Sequence, residues 1–544
     1  MSNRGSLTGP TQFAPGMALK PFDSAGAWLP AVETSGLRRR AVRGAGITVF
    51  AQGSAFAVQM IATVVLARLL MPGDFGVVTM VTTFSVLLMS CGRVGLPDAV
   101  LQRDEIDHFL ASNLFWVNIG TALVLTIGFA AAGSLLARFY GDPRVAHVCA
   151  GLSLTIFVDS TSILHLALLK RAMRFSAVSA NDIVARAASV VVSIALAWAG
   201  FGYWALVGGA VALPLSTTIG AWILCRWVPS LPRRVAGTGA MVRFAIHVFG
   251  RYSLGYTAQN TDNLLVGWRF GSGALGLYKK AYDLFVLPFS LLNVFPVVVS
   301  TLSRLTKDRA QYRRYFLSGL SMLALVGMAV AADFTLVGRD LVRLLLGPKW
   351  EEAGRIFVFF GPGIGAQLIY STYGMIHLSI GTTARFLRWG FIEVTVTLAL
   401  FLIALPWGPV GLAVAWTASY WLLLMPAFWY AGRPIQLGVG AIIGAIWKFV
   451  LASILAAWGC VLAVRQLPSL GATAGSVGAL ERIITTSLVF GVLYLSAVIL
   501  LHGGGKPIYR LGELLGELAP GKKSSNSIPA VSACAGNDGS VANG

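Results

Sequence analysis

Apolar residues fill run after run of about 20 positions between Gly46 and Leu501, the length an α-helix needs to cross the hydrocarbon of a bilayer. These runs predict helices at 46–69, 75–97, 111–137, 146–168, 182–200 and 203–227. Six more follow at 243–266, 281–302, 315–338, 355–379, 386–406 and 409–431, and two last ones at 441–465 and 480–502. The connections are short, and none is long enough to fold as a separate domain. The expected fold is therefore all-α: a polytopic integral membrane protein of about fourteen transmembrane helices. Thr8 to Gly36 is rich in Gly, Pro, Ser and Ala, without an apolar core of signal-peptide type. It reads as part of a disordered cytoplasmic tail over 1–42. The polar stretch after Gly503 reads as a second such tail over 504–544.

Composition agrees with lipid as the main solvent. Of 544 residues, 56% are hydrophobic and 12% charged, where soluble domains carry about 25% charge. The net charge of +20 would suggest nucleic acid in a soluble protein. Here no basic patch with interleaved aromatics lies outside the apolar runs, and membrane proteins concentrate Lys and Arg in cytoplasmic loops. Placing the amino terminus inside puts Arg38, Arg39, Arg40, Lys170, Arg171, Arg174, Arg233, Arg309 and Arg313 among the residues on that side. Arg68, Arg138, Arg144, Arg269, Lys279, Lys280 and Lys349 fall on the other. The totals are roughly 27 against 12, so both termini are expected in the cytoplasm. Cys91, Cys149, Cys225, Cys460 and Cys534 show no CxxC pair and no framework spacing, which speaks against a disulfide scaffold or zinc site.

The chain also repeats itself. Leu69-Leu70-Met71-Pro72-Gly73-Asp74-Phe75-Gly76 resembles Arg269 to Gly276, 200 positions on. Leu135 to Gly141 resembles Leu341 to Gly347, and Gly202 to Leu206 resembles Gly408 to Leu412, both at an offset of 206. Three matches in one order imply two six-helix halves. An even number of spans per half keeps the repeats parallel, about an axis along the membrane normal. The expected lobes are 43–240 and 241–434, with two added helices over 435–503. A cleft between two bundles is a transporter's architecture.

An ionisable group at the bilayer centre costs roughly 2.5 to 3.5 kcal/mol, so each one in a run calls for a cavity, a partner or a route to the interface. His247, Arg251 and Asp262 fall within about 60° on a helical wheel. They read either as a wet strip facing a central cavity, with Arg251 free for an anion, or as groups that snorkel and pair locally. Gln52, Gln59 and Thr63 share a face of the first helix, and Gln259 repeats Gln59 at the offset of 200. These amides either line a shared cleft or hydrogen-bond between helices. Asp182 and Arg186 have ion-pair spacing. Asp159 lies deep in the fourth run with no charged residue on its own face, which makes it a candidate for ion coupling. Glu393 is a second, although Arg385 and Arg388 nearby compete as structural partners. Gln367, Tyr370, Gly374 and His377 form a polar stripe suited to sugar hydroxyls and rings, or to an ordinary helix interface.

Catalytic motifs are missing. There is no GxxxxGK[ST] phosphate loop and no HExxH, and Gly361-Pro362-Gly363-Ile364-Gly365 lies in an apolar run without a preceding strand. No cofactor or metal is expected, and no external loop is large enough for a membrane polymerase or ligase.

Several segments resemble a known family. Ala67 to Gly76 is similar to the "ARLLxPxDFG" opening of Wzx-type polysaccharide flippases of the WzxC-like branch. Ala99 to Arg103 resembles its "aliQR", and Ala137 to Pro143 its "ARFYxdP". Thr261 to Gly267 resembles "aDnllIG", Leu275 to Tyr278 "LGlYsrAy", and Leu345 to Trp350 "llGpkW". Lys279-Lys280 departs from a Ser-Arg-like pair but keeps its basic character. The resemblance runs from about Gly44 to Arg433. It implies membership of the multidrug/oligosaccharidyl-lipid/polysaccharide exporter superfamily, with two lobes and alternating access. It further implies translocation of a polyprenyl-diphosphate-linked oligosaccharide across the bacterial inner membrane, for exopolysaccharide, capsule or lipopolysaccharide, beside polymerase or export machinery. A cationic cleft and ion-gradient coupling are part of what it implies. The alternatives sharing this fold are a drug or cation antiporter and a lipid II flippase; a membrane polymerase or ligase is the alternative of another class.

Overall fold

The computed structural model describes residues 19–29, 53–54, 56–103, 105–233, 238–291, 295–466, 475–505 and 509. Helix dominates because backbone in hydrocarbon must satisfy its own hydrogen bonds. The first half consists of α1 (Phe56–Leu69), α2 (Pro72–Arg93), α3 (Leu96–Gln102), α4 (His108–Tyr140), α5 (Arg144–Arg171), α6 (Phe175–Trp198) and α7 (Tyr203–Leu224). The second consists of α8 (Thr238–Leu291), α9 (Phe295–Arg304), α10 (Arg309–Leu346), α11 (Glu351–Ser371), α12 (Tyr373–Ser379), α13 (Thr383–Ala404) and α14 (Gly408–Gly432). Two further helices follow, α15 (Val439–Arg465) and α16 (Gly475–His502).

Each of the fourteen expected runs falls mainly on helix over its described residues, although the run 203–227 overshoots α7, which ends at Leu224. Two of them are divided: 75–97 into α2 and α3, and 355–379 into α11 and α12. In the other direction, α8 carries the chain through two runs, turning only at Gly271 (φ 80°, ψ −179°), a backbone geometry that favours glycine. Nine segments among the described residues are long and apolar enough to cross a membrane.

The ends of the helices follow from capping chemistry. Pro72 opens α2, where its missing N–H costs nothing, and Asp74 accepts from Met71 N at 3.0 Å. Asp107 caps α4 by accepting from Leu110 N at 2.6 Å. Gly141, left-handed at φ 68°, ends that helix. Asp308 caps α10 through Ala310 N and Gln311 N, both at 2.9 Å.

In the first half α5 is central, packed on α2, α4 and α7; in the second α11 holds the matching place among α8, α10 and α14. Their starting residues lie near the offset of 206, as a parallel repeat requires. The α15–α16 pair packs on α10, where Arg482 of α16 donates to Asp340 at 2.6 Å. One buried cluster draws on both halves, from Leu66, Met80, Val148 and Leu152 to Tyr278, Phe285, Trp350 and Phe360. A second belongs only to the second half with α15 and α16, including Phe316, Trp389, Phe428, Ile446 and Tyr494. A third is confined to residues up to Ala245, including Leu110, Leu114, Leu168 and Trp227.

That third cluster holds a surprise. Residues 19–29, inside the segment expected to be a disordered tail, form a small hairpin closed by a Phe22–Trp28 bridge. Leu19 is buried and pairs with the strand-like end of α7, donating to Leu224 O at 2.8 Å and accepting from Arg226 N at 2.9 Å. Phe22 meets Trp28, His108 and Trp227 edge-on or tilted, and the Arg171 guanidinium stands 5.3 Å from the Trp28 ring. Aromatic burial supplies the cohesion that the composition of the stretch as a whole conceals.

Candidate functional site

The two halves meet end to end at one seam. The connections after α1, α4, α6, α10 and α13, together with the turn at Gly271, gather there. Asp74 lies against Gly202, and Phe270 against Gly408. Arg68 donates to Leu344 O (2.7 Å) and Leu345 O (3.4 Å), and Trp350 Nε1 donates to Ala67 O at 2.8 Å. Phe75 sits between Trp350 (ring centroids 5.3 Å apart) and the Lys280 ammonium (4.4 Å from its ring). Arg144 pairs with Asp142 at 2.8 Å, and its guanidinium donates to Ser272 Oγ at 3.1 Å across the seam. That guanidinium holds the Asp142 carboxyl below its ordinary range.

The contacts respect the repeat. Arg68 meets Leu345, and Trp268, 200 residues beyond Arg68, stacks on Phe139, 206 residues before Leu345 (centroids 6.3 Å apart). Ala67 receives Trp350, while Gly267 receives the ring of Tyr140. The seam is thus built about a pseudo-twofold axis. At the opposite end the second cluster belongs to the second half with α15 and α16. The third joins first-half residues to Met241 and Ala245 of α8, so the first turns of α8 pack on α3 and α4.

Toward the end opposite the seam stands a group the sequence reading did not weigh. Arg93, in the last turn of α2, forms a bidentate pair with Asp159 of α5, both distances 2.5 Å. Asp159 is 4% exposed and Arg93 49%, so a buried carboxylate holds a half-exposed guanidinium. Tyr252 of α8 and Asp182 of α6 lie within its electrostatic reach. Asp159 therefore has a charged partner after all, supplied by a neighbouring helix that a single-helix wheel cannot show. The one signal available was a cation inside an apolar run. Asp182 and Arg186 form their predicted pair at 2.9 Å, both partly exposed.

The remaining candidates are dispersed. His247, Gln59 and Gln259 are exposed. Gln52 and the side chain of Arg251 lie outside the described residues, although the backbone of residue 251 is part of α8. Asp262 does not share their surface: it is fully buried and accepts from Tyr278 OH (2.8 Å), Trp416 Nε1 (2.9 Å) and Asn263 N (2.8 Å). Three donors satisfy the carboxylate inside the second half, which replaces the expected wet strip. Tyr370 is also buried, accepting from Trp389 Nε1 at 3.0 Å with its ring 4.8 Å from that of Tyr373. Glu393 accepts from Tyr373 OH at 2.9 Å. Arg385, expected beside Glu393, instead donates to Tyr430 O at 2.6 Å and covers that ring. Gln367 reaches Tyr420 OH at 3.4 Å, completing a polar, aromatic interior. Among the described residues no three His, Cys, Asp or Glu side chains gather as a metal site would need.

A family model described as a polysaccharide biosynthesis protein matches residues 65–355, more than half of the chain. The chain belongs to that family. It is 21% identical over 357 residues to the succinoglycan biosynthesis transport protein ExoT of Rhizobium meliloti, a match covering 65% of this chain and 72% of ExoT. It is 24% identical over 325 residues to the lipopolysaccharide biosynthesis protein WzxC of Escherichia coli, covering 58% of this chain and 65% of WzxC. Its fold is similar to that of the lipid II flippase MurJ in an inward closed conformation, with a TM-score of 0.66 at 14% identity over 82% of this chain and 97% of MurJ. A multidrug resistance MATE family transporter in an inward-facing conformation follows at 0.55 and 14%, over 70% of this chain and 94% of that one. The chain is a multi-pass membrane protein of the transporter fold shared by these structures.

Proposed function

We propose that this protein is a flippase that carries a polyprenyl-diphosphate-linked oligosaccharide from the inner to the outer leaflet of the bacterial cytoplasmic membrane, for exopolysaccharide, capsule or lipopolysaccharide synthesis. The observation that carries the reading is the pseudo-symmetric seam at one end, with a half-exposed Arg93 held by buried Asp159 toward the other. The reading places a cleft between the halves on the Arg93 side. The excess of Lys and Arg favours the cytoplasm for the end opposite the seam, and the proposed cleft opens there. Both termini lie in the cytoplasm, and the fourteen helical runs count as fourteen crossings.

Chemistry supports an anionic headgroup. A guanidinium pairs with phosphate oxygens through its planar fork, and Asp159 orients Arg93 while Arg93 keeps half its surface free. Arg251, between three and four turns into α8, is the second cation proposed for the diphosphate, and His247, Gln59, Gln259 and Gln52 are proposed to line the cleft beside it. Asp262, satisfied by three donors, is assigned to packing of the second half. Glu393, half-buried beside Tyr373, is the proposed coupling group, and Tyr370 acts through that pair. A membrane polymerase is the natural recipient of the product.

Deletion of the gene followed by identification of the accumulating lipid tests this reading. The expected result is a diphosphate-linked oligosaccharide retained on the inner leaflet, restored to export by the intact gene. Normal polymer at the cell surface in the deletion strain would contradict it.

A further inference from the structure

The seam contains two glycines whose placement goes beyond what the transport reading requires. Gly76 of α2 lies so close to Ser272 that a Cβ built on it would fall inside the carbonyl of that residue. Gly276, 200 positions on, lies just as close to the carbonyl of Pro72. Pro72 and Ser272 are themselves 200 apart. Each half therefore offers a glycine to the other half's backbone at the same place, and the two contacts are exchanged across the pseudo-twofold axis. Neither neighbour is the far end of a flexible side chain, which could move aside. Both are main-chain groups at the start of a helix or at its turn.

The surroundings are built differently. Gly73 and Gly273, one turn away, have open space where a Cβ would be. The glycines at 76 and 276 thus mark a local, paired approach of two backbones and no general thinning of the helices. Around the pair stand the groups that pin the seam laterally: Trp350 on Ala67, Lys280 on Phe75, and Arg144 on Ser272.

The geometry points to Gly76 and Gly276 as a twofold latch that sets the balance between the state closed at this end and the state open at it. The latch rests on the alternating-access reading above and adds its closing contact. A Cβ at either glycine cannot be accommodated while the backbones touch, so it disfavours only the closed arrangement. Once the halves separate, the added methyl meets nothing. Because the two contacts are equivalent, either substitution acts in the same direction.

Labelling from outside the cell tests the latch. In a background with the five cysteines replaced by serine, Thr83→Cys lies about 10 Å below Gly76 on the same face of α2. Gly76→Ala and Gly276→Ala are each expected to raise its modification by a membrane-impermeant maleimide several-fold, while Gly73→Ala leaves it unchanged. Unchanged labelling in both variants at parental membrane levels overturns the latch. A second measurement keeps both glycines: Gly73→Cys with Gly273→Cys, joined by a short bis-maleimide that a reductant cleaves. The link is expected to form, to stop polymer export, and to release it on cleavage. Failure to link, or full export while linked, overturns the proposal. Labelling reads the opening and is blind to the cargo. Raised labelling in a strain whose deletion accumulates no lipid-linked glycan upholds the latch and faults the proposed substrate alone.

Discussion

Replacing Arg93 by Gln leaves the Asp159 carboxylate, 4% exposed, without its counter-ion. Removing one partner of a buried pair costs about 3–5 kcal/mol. Replacing Asp159 by Asn leaves the opposite orphan, a guanidinium 49% exposed that water can reach, and the cost falls to about 1 kcal/mol. The two single variants should therefore differ by about 2 kcal/mol or more, roughly a 30-fold difference in the folding equilibrium. The double variant Arg93→Gln with Asp159→Asn leaves no charge behind and should recover most of the stability. Export should not recover with it, because the cation offered to the cleft is gone. Thermal unfolding in detergent reads the first quantity, and surface polymer at matched membrane levels reads the second. Asp159→Asn alone should export partially, since Arg93 remains but is held less firmly. If the double variant exports at the parental rate, or if Asp159→Asn is the more destabilised single variant, the assignment of Arg93 as the presented cation and Asp159 as its anchor is wrong.

Arg251→Ala is expected to cut polymer production at least tenfold with membrane levels intact; normal yield would remove Arg251 from the proposed headgroup contact. Asp262→Leu strands Tyr278 OH and Trp416 Nε1 in the second half, at about 1–3 kcal/mol for each unsatisfied group, so its unfolding temperature should fall by several degrees; an unchanged value would show that the carboxylate does not hold these helices together. An alkaline phosphatase fused after Gly141 should be active and one fused after Arg174 inactive, and the reverse pattern would invert the orientation.

Helix positions were legible because hydrocarbon leaves the backbone one solution, and run length reports it directly. The repeat was legible in three short matches, and the seam explains why those survive: residues 69–76 and 269–276, 135–141 and 341–347 are the segments that touch across the halves. Charge pairing was less legible. A helical wheel sees one helix, so Asp182 and Arg186 were found while Arg93 and Asp159, 66 positions apart, were not. The same blindness placed Asp262 on a wet strip, although Tyr278 and Trp416 of other segments enclose it. Glu393 illustrates a further limit: Arg385 lies two turns away, but its guanidinium finds the Tyr430 carbonyl and ring instead. The hairpin at 19–29 was hidden by averaging, since Leu19, Phe22 and Trp28 are few among small and polar neighbours, and their partners lie at 108, 171 and 227.

The most direct measurement is translocation by the purified protein in liposomes loaded with a polyprenyl-diphosphate-linked oligosaccharide. An impermeant glycosidase added outside reports headgroups that have crossed. Protein-dependent cleavage beyond the fraction initially outside, lost with Arg93→Gln, is the predicted result. A cleaved fraction that does not change with protein, in vesicles where insertion is verified, would contradict the account.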